Sequence, residues 1–405
     1  MFTPSAVPIE PLITAAAADV DTIEVSVILP CLNEADTLAT CIAKAQRALA
    51  EQGIRGEVVV ADNGSSDGSP LIAERAGARV IEVAEKGYGC ALRRGIESAR
   101  GRFILMADAD DSYDLLELPR FIAKLREGYD LVQGCRLPRG GGTILPGAMR
   151  PLHRWCGNPL FSLLARWWFK TPINDIYCGM RAFTADLYKR LALRCPGMEF
   201  ATEMMIKASR YEAKIAEVPI TLHRDGRKSH EPHLKTFRDG WRTIRFFLMV
   251  SPRWLFLEPG RFMLLLGLVG YALALPGLRI HGVHFSSHTL VISTLLILLG
   301  YQSVLFAITV KTFAISQGIM PRDQRIDALL ERVTLERAIL AGAVMFAAGL
   351  VMIAVAVNTW RVSAFGNLDY ERTMRWVVPG AGLTALGFQT ILSGFLLGIL
   401  HFFRR

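Results

Sequence analysis

The sequence predicts an α/β domain, a mostly parallel sheet flanked by helices, followed by interfacial helices and an α-helical transmembrane domain of four spans. Three observations predict this. Up to about residue 259, short apolar runs alternate with polar helical stretches. The first four of those runs end in side chains of ligand type. Beyond them come long, nearly uncharged segments close to the roughly 20 residues that a bilayer requires. With 405 residues, 51% of them hydrophobic, and a mean hydropathy of +0.30, the chain exceeds one ordinary domain and is more apolar than most soluble proteins.

The strands are expected at residues 25–30 (VSVILP), 57–62 (EVVVAD), 79–83, 103–107 and 130–133, with a further one at 213–220. Helical stretches at 34–50, from the Gly87-Tyr88-Gly89 turn through Ala99, and at 201–211 separate them. Strands alternating with helices through short Gly-rich turns imply right-handed β-α-β units and a mostly parallel sheet.

The fourth run is the most informative. Phe103-Ile104-Leu105-Met106-Ala107 stops abruptly at Asp108, Asp110 and Asp111. Burying an unpaired carboxylate costs several kcal/mol, so such a strand delivers its charges to a partner. In an open parallel sheet that partner lies in the crevice beyond the strand ends. Two aspartates one residue apart offer hard oxygen ligands for Mg²⁺ or Mn²⁺, which in turn hold a diphosphate. The plain alternative is a set of solvated aspartates capping the next helix, and for Asp111 capping stands beside orientation of an acceptor. Taken alone, each of the other strand ends has a similar structural reading. Asn33 and Glu34, Asp62 and Asn63, Lys86, and the Asp108–Asp111 group together place ligand-type residues after four consecutive strands, which favours a site.

Four spans are expected at residues 262–278, 290–313, 338–357 and 377–402, within a membrane domain of 259–405. The α/β domain is expected over 25–233, juxtamembrane amphipathic helices over 234–258, and a flexible tail over 1–24 that lacks the basic start and apolar core of a signal peptide. Basic residues set the orientation. Arg238, Arg242, Arg245, Arg253 and Arg261 precede the first span; Lys311, Arg322, Arg325, Arg332 and Arg337 lie between the second and third; Arg404-Arg405 ends the chain. These agree on a cytoplasmic α/β domain at the inner (plasma) membrane, although Arg361, Arg372 and Arg375 in the third-to-fourth loop argue the other way. All seven cysteines precede the spans without Cys-x-x-Cys spacing, which argues against a zinc site or a disulfide framework. The net charge of +9 suits anionic lipid. Basic residues flank membrane segments rather than interleaving with aromatics, so nucleic acid is not an expected partner.

Pro30-x-x-Asn33-Glu34, Asp62-Asn63-Gly64-Ser65-Ser66-Asp67-Gly68, Lys86-Gly87-Tyr88-Gly89 and Asp108-Ala109-Asp110 resemble the successive motifs of family 2 glycosyltransferases of the GT-A fold. Gly134-Cys135-Arg136, Asp175-x-x-Cys178-Gly179-x-Arg181-Ala182-Phe183 and Gly226-Arg227-Lys228-Ser229 resemble its polyprenyl-phosphate branch, which includes dolichol-phosphate mannose and glucose synthases. The resemblance spans about residues 25–254. It implies a nucleotide-sugar donor bound by Pro30, Asn33, Glu34, Asp62, Asn63, Lys86, Asp108, Ala109 and Asp110, with Asp62 on the base. It also implies Mg²⁺ or Mn²⁺ on Asp108 and Asp110. Two positions depart from the pattern: Asn63 stands where many members have aspartate, and Tyr88 where lysine is commoner.

The expected chemistry is transfer of a hexose, from UDP-glucose or GDP-mannose, to a polyprenyl (undecaprenyl or dolichyl) phosphate by metal-dependent inverting displacement. A hydroxyl acceptor requires a general base, whereas a lipid phosphate is already an anion and requires positive guidance. Arg136, Arg154, Arg181, Arg227 and Lys228 are the candidates for that guidance, and arginine suits bidentate phosphate recognition. Asp110 and Arg136 are the expected catalytic pair. The stretches 152–170 and 234–257, aromatic and basic by turns, are the expected interfacial helices. His223, His230 and His233 match no metal-ligand spacing and read as solvated or phosphate-contacting. The expected partners are the donor, the lipid, the membrane and a second copy of the chain. Two alternatives stand beside this reading. A processive polysaccharide synthase is disfavoured because Pro151 and Arg372 occupy the Gln position of Gln-x-x-Arg-Trp before Arg154-Trp155 and Arg375-Trp376. A non-catalytic membrane scaffold is disfavoured by the intact acidic set.

Overall fold

The computed structural model describes residues 23–227, 236–317 and 320–402. Of the expectations above, Lys228, His230, His233, Arg404-Arg405 and the tail through residue 22 lie outside the described residues. The chain divides into two compact units. One lies within Met1–Leu163, Pro172–Ala208 and Ala213–Pro232, the other within Leu164–Thr171, Ser209–Glu212 and His233–Arg405.

The first unit carries strands β1 (Val25–Cys31), β2 (Gly56–Asp62), β3 (Arg79–Glu82), β4 (Phe103–Met106), β5 (Leu131–Cys135), β6 (Thr143–Ile144), β7 (Arg181–Thr184), β8 (Ile215–Pro219) and β9 (Thr221–Leu222). Seven of them form one sheet in the order β3-β2-β1-β4-β7-β5-β8, and β6 pairs with β9. β1 runs parallel to β2, ending at Cys31 opposite Asp62, and parallel to β4, with Ile28 opposite Met106. The register therefore brings the carboxyl ends of three strands to one edge. Both faces of β1 are buried, as its unbroken apolar run requires in a parallel sheet covered by helices.

Within the seven-stranded sheet, β7 is the strand the sequence did not announce. It lies antiparallel between β4 and β5. Its four residues, Arg-Ala-Phe-Thr, are too few to show a period, and the arginine at its start is a charge that a pattern reading assigns to a loop.

Helices α1 (Leu38–Glu51), α2 (Ser69–Arg75), α3 (Tyr88–Ser98), α4 (Leu118–Arg126), α5 (Asn158–Phe169), α6 (Ala185–Leu191) and α7 (Glu199–Arg210) complete the α/β region, with α5 continuing past Leu163 into the second unit. α1 starts four residues later than expected because residues 33–37 form a turn. Asn33 is left-handed there (φ 61°), and the backbone N–H groups of Thr37 and Leu38 both reach the Glu34 carbonyl.

The second unit holds α8 (Thr236–Met249), α9 (Glu258–Ala274), α10 (Ser287–Ser316), α11 (Gln324–Arg332), α12 (Leu335–Val362) and α13 (Tyr370–Phe402), with a short hairpin of β10 (Arg279–Ile280) and β11 (Val283–His284) between α9 and α10. Four of its helical stretches are long and apolar enough to cross a membrane: Arg253–Ala274, Ser287–Ser316, Leu335–Val362 and Tyr370–Leu400. The first begins earlier than expected, because a π-helical turn at Arg253–Leu257 leads into α9. Adjacent helices run antiparallel and meet at glycine. A Cβ on Gly260 would stand 2.9 Å from the Gly300 carbonyl oxygen, and one on Gly349 would stand 2.6 Å from that of Gly380. Lipid tails are as apolar as leucine, so close backbone approach of this kind drives helix association.

Candidate active site

The three level strand ends are stitched together by side chains. After β1, the Asn33 N–H donates to Ser65 Oγ at 2.9 Å, and Asn33 Oδ1 accepts from the Ser66 N–H at 2.8 Å. The Glu34 N–H donates to Ser69 Oγ and the Ala35 N–H to Asp67 Oδ2, both at 2.9 Å. The Ser65-Ser66-Asp67 turn therefore holds the Asn33-Glu34 turn. From the β4 side, Thr37 Oγ1 donates to the Ala109 carbonyl at 2.6 Å. Pro30, Asn33, Glu34, Ala109 and the Asp62–Asp67 loop thus line one edge.

Asp62 is buried, and its Oδ2 accepts from the N–H groups of Gly64 and Ser65 at 3.0 and 3.1 Å. Its Oδ1 is buried with no hydrogen-bond partner. An orphaned carboxylate oxygen costs about 1–3 kcal/mol unless a ligand satisfies it, so this atom calls for an N–H or O–H donor. Asn63 has a different role. Its amide donates to the Val83 and Glu85 carbonyls at 3.1 and 2.8 Å, and its Oδ1 accepts from the Gly87 N–H at 2.7 Å. An aspartate could not donate to those two carbonyls, which gives the departure at position 63 a structural reason. Lys86 Nζ donates to the Asn63 carbonyl at 2.7 Å.

The two aspartates after β4 sit in different surroundings. Asp108 Oδ1 accepts from the Tyr88 hydroxyl at 2.7 Å. A Cβ on Gly179 would stand 2.5 Å from Asp108 Oδ2, so the glycine leaves that oxygen room. Burial first, then the charge of Asp110, raises the Asp108 carboxyl to about 6. Asp110 Oδ1 accepts from Ser112 Oγ at 2.6 Å, and its Oδ2 pairs with Arg227 Nη2 at 2.9 Å. Arg227 Nε also pairs with Glu34 Oε2 at 2.8 Å. One guanidinium therefore bridges the β1 and β4 ends. Burial alone would lower the Arg227 guanidinium, but Asp110, Glu34 and Asp225 together hold it above its ordinary value. Asp111 is left-handed (φ 59°) and pairs with Lys44 at 2.8 Å; the cap of the next turn, at Leu116, comes from Asp114 instead. Beside Asp111 opens a cleft of about 510 Å³ lined by Lys44, Asp111, Leu145, Pro146, His223 and Arg224.

Among the expected acceptor residues, the structure joins Arg227 directly to the acidic cluster and sets Arg136 beside Tyr113, whose hydroxyl holds Gly179 next to Asp108. Arg136 Nε and Nη2 bond the two oxygens of buried Asp175 at 2.7 and 3.0 Å, and its Nη1 lies 3.4 Å from the Tyr113 hydroxyl. That hydroxyl accepts from the Gly179 N–H at 2.9 Å. Burial pulls the Arg136 guanidinium down, but the Asp175 carboxylate outweighs it and holds the group well above its ordinary value. Arg181 is fully buried, donating to the carbonyls of Ala201 and Cys178 at 2.6 and 2.7 Å. It is thereby a brace within the fold, not a surface that a lipid phosphate reaches. Arg154 lies over the Trp155 ring at 5.1 Å, and among the described residues no hydrogen bond joins it to the acidic cluster. The sequence pattern did not single out Tyr113. A tyrosine three residues past Asp110 was its only signal, and nothing local separates such a residue from core.

Among the described residues no group of three or more His, Cys, Asp or Glu is arranged as a self-sufficient metal site. The carboxylate pair fits a cation of the Mg²⁺ type, which takes one or two carboxylates and completes its shell with water and substrate phosphate. Asp108 Oδ2 carries no hydrogen bond among the described residues and offers lone pairs for that purpose.

Residues 26–191 match the family described as glycosyl transferase family 2, and residues 308–401 match the glycosyltransferase family 2 C-terminal transmembrane region. The chain is 38% identical to the low-salt glycan biosynthesis hexosyltransferase Agl6 of Haloferax volcanii, over 93% of this chain and 88% of that one. It is 32% identical to a dolichyl-phosphate hexose transferase of the same organism, over 49% of this chain and 82% of the relative. Among solved structures, a glucosyl-3-phosphoglycerate synthase from Mycobacterium tuberculosis, in complex with Mn²⁺, UDP and phosphoglyceric acid, aligns with a TM-score of 0.44 at 21% identity, covering 56% of this chain and 76% of that one. With its GT-A-like sheet, its strand-end acidic cluster and four apolar helices, the chain belongs to glycosyltransferase family 2, as an enzyme that transfers sugar from a nucleotide-sugar donor.

Proposed function

We propose that this enzyme moves a hexose, from UDP-glucose or GDP-mannose, onto a polyprenyl phosphate by a single inverting displacement at the inner membrane, with the α/β unit on the cytoplasmic side. The observation that carries the reading is the Arg227 bridge. A cation joined to Glu34 and Asp110 stands where the strand ends converge, placed to receive an acceptor that is already an anion. The orphaned Asp62 Oδ1 takes a nucleobase N–H, and the turn at Pro30, Asn33 and Glu34 lines base and ribose. Lys86 and Asn63 keep that loop in register.

A divalent cation bound by Asp108 and Asp110 would neutralise charge developing on the departing diphosphate. The acceptor's phosphate oxygen forms a bond to the anomeric carbon as the bond from that carbon to the donor's terminal phosphate oxygen breaks. The electron pair leaves with the nucleoside diphosphate, and no proton must be removed. Arg227 guides the incoming phosphate, with Lys44 and Arg224 of the adjoining cleft as its approach. Arg136 acts through Asp175 and Tyr113 as a positioning residue. The dolichyl-phosphate hexose transferase among the relatives supports a lipid phosphate acceptor.

The test is incubation of purified enzyme with labelled UDP- and GDP-hexoses, Mg²⁺ or Mn²⁺, and undecaprenyl phosphate. A lipid bearing a single hexose is expected, and Asp110→Ala should lower its formation about 10³-fold, as loss of a charge-stabilising group does. Absence of lipid-linked sugar with every donor, or full activity in the Asp110 variant, refutes the proposal. A ladder of longer products would instead identify a polymerising synthase.

A further inference from the structure

The second unit contains a cavity of its own, about 620 Å³, within the range of small-molecule sites. Its wall includes Trp168, Arg210, Arg253, Lys311, Arg322 and Arg325, and none of the strand-end residues described above. Its place in the membrane unit follows from connectivity. Arg253 opens the first span, and Lys311 lies in the last turns of α10, which runs back antiparallel to α9. The entry to the first span and the exit from the second therefore share one membrane face.

The cavity holds an excess of positive charge. Five cations face two carboxylates, Glu212 and Asp323. Asp323 is already engaged, with one oxygen on Lys311 and the other accepting from the Arg325 N–H. Glu212 is exposed. Among the described residues Arg210, Arg322 and Arg325 have no ion pair. Arg210 is packed over the Phe169 ring at 5.4 Å with one hydrogen bond, from Nη2 to the Val250 carbonyl at 2.7 Å. Burial holds its guanidinium down at about 10. Trp168 adds a second, independent sign. Its indole Nε1 is buried without a hydrogen-bond partner. A half-buried cation without an ion pair and an orphaned N–H, in one cavity, both call for an anionic acceptor.

The surroundings specify where that anion comes from. Trp168 stacks on Trp254 at 5.5 Å, and Trp167 lies 4.3 Å from Trp254, an aromatic cluster of the kind found at the headgroup level. Leu255, Phe262, Phe306 and Phe313 leave apolar flanks exposed on the same helices. A phosphate held among the arginines would thus have somewhere to lay two acyl chains. The cavity shares no lining residue with the strand-end cluster, so it is a separate site for a phosphate.

We propose that this cavity binds the phosphodiester headgroup of an anionic glycerophospholipid, anchoring the membrane unit at a site separate from the donor and acceptor sites. Basic pockets at helix ends recognise such headgroups through charge and hydrogen bonding.

The experiment uses the full chain, delipidated in detergent, with dioleoyl phosphatidylglycerol, dioleoyl phosphatidylcholine, undecaprenyl phosphate and inorganic phosphate as separate probes. Binding is read by native mass spectrometry and by tryptophan fluorescence. Phosphatidylglycerol is expected to be retained and to shift the fluorescence, while phosphatidylcholine and inorganic phosphate at equal concentration do neither. Arg322→Ala with Arg325→Ala should weaken phosphatidylglycerol about five-fold for each arginine removed. Trp168→Phe should weaken it further, with donor binding unchanged in all variants. Equal retention of the two phospholipids by the wild-type chain overturns the proposal without recourse to any variant. So does displacement of phosphatidylglycerol by undecaprenyl phosphate at lower concentration, which would assign the cavity to the acceptor, or binding of inorganic phosphate as tight as that of the lipid.

Discussion

At the strand ends of the α/β unit a single side chain, Asn63, makes three hydrogen bonds and holds two loops in register, whereas α12 and α13 meet where Gly349 lies against Gly380 with no side chain between them. The α/β unit fixes atoms by directional polar contacts and leaves a few of them, such as Asp62 Oδ1, unsatisfied. The helical unit fixes whole helices by removing side chains, and its polar contacts are few, such as Tyr301 to Thr390 at 2.6 Å. The difference follows from solvent. In water, apolar burial supplies cohesion and polar groups supply geometry; in lipid, apolar burial between helices gains little and shape must serve instead.

The sharpest way to break the first kind of order is at Arg136. Its guanidinium and Asp175 form a buried two-bond pair, and removal of either partner leaves the other charged and enclosed. Asp175→Ala is expected to cost about 3–5 kcal/mol of stability in the α/β unit. Thermal unfolding of the purified chain measures it. Replacement of both residues by apolar ones of similar size should recover much of the loss, because no stranded charge remains. A double variant no better than the single one would mean that the pair contributes attraction rather than avoiding a penalty.

The second kind of order breaks by a single methyl group. A Cβ at Gly349 would stand 2.5 Å from the Thr384 backbone nitrogen, a contact that neither helix relieves without parting. Gly349→Ala is expected to destabilise the helical unit by about 1–3 kcal/mol. The expected readout is a lower melting point in detergent with an unchanged donor dissociation constant. A loss of donor affinity in this variant would show that the two kinds of order are not independent.

These contrasts account for what was legible in the sequence. The spans were legible because hydropathy over about 20 residues survives any local detail. The strand-end carboxylates were legible because an apolar run that stops at Asp108 and Asp110 must hand those charges to a partner. The burial of Arg181 was not legible because it depends on β7, a strand only four residues long whose neighbours β4 and β5 are distant in sequence. Between capping and orienting an acceptor the sequence left Asp111 open, and Asp114 provides the cap, since nearby carboxylates are equivalent until the backbone turn at Asp111 is known. The glycine contacts between helices were illegible for the same reason. A glycine in a span shows that something approaches, not what.

The most local expected effect sets stability against function at one atom group. Asp108 is held at about 6 by burial and by the charge of Asp110, above the 3.8 of a free aspartate. A carboxyl raised in the folded state binds its proton more tightly there than in the unfolded chain. Folding of the cation-free protein should therefore weaken as pH rises from about 4 to about 6, and stay weakened above that. Asp108→Asn removes this penalty, so the variant should melt higher than the wild type at pH 7, with the gap closing toward pH 4. Metal-dependent nucleoside diphosphate binding should run the opposite way. Only the ionised carboxylate serves as a ligand, so wild-type affinity should fall about ten-fold between pH 7 and pH 5, and the Asn variant should lose both the affinity and that pH dependence. Calorimetric titration and thermal melts across this range measure both curves. If Asp108→Asn melts no higher than wild type at pH 7, the Asp108 charge costs the fold nothing, and the contrast between a unit strained for chemistry and one built for packing loses its clearest example.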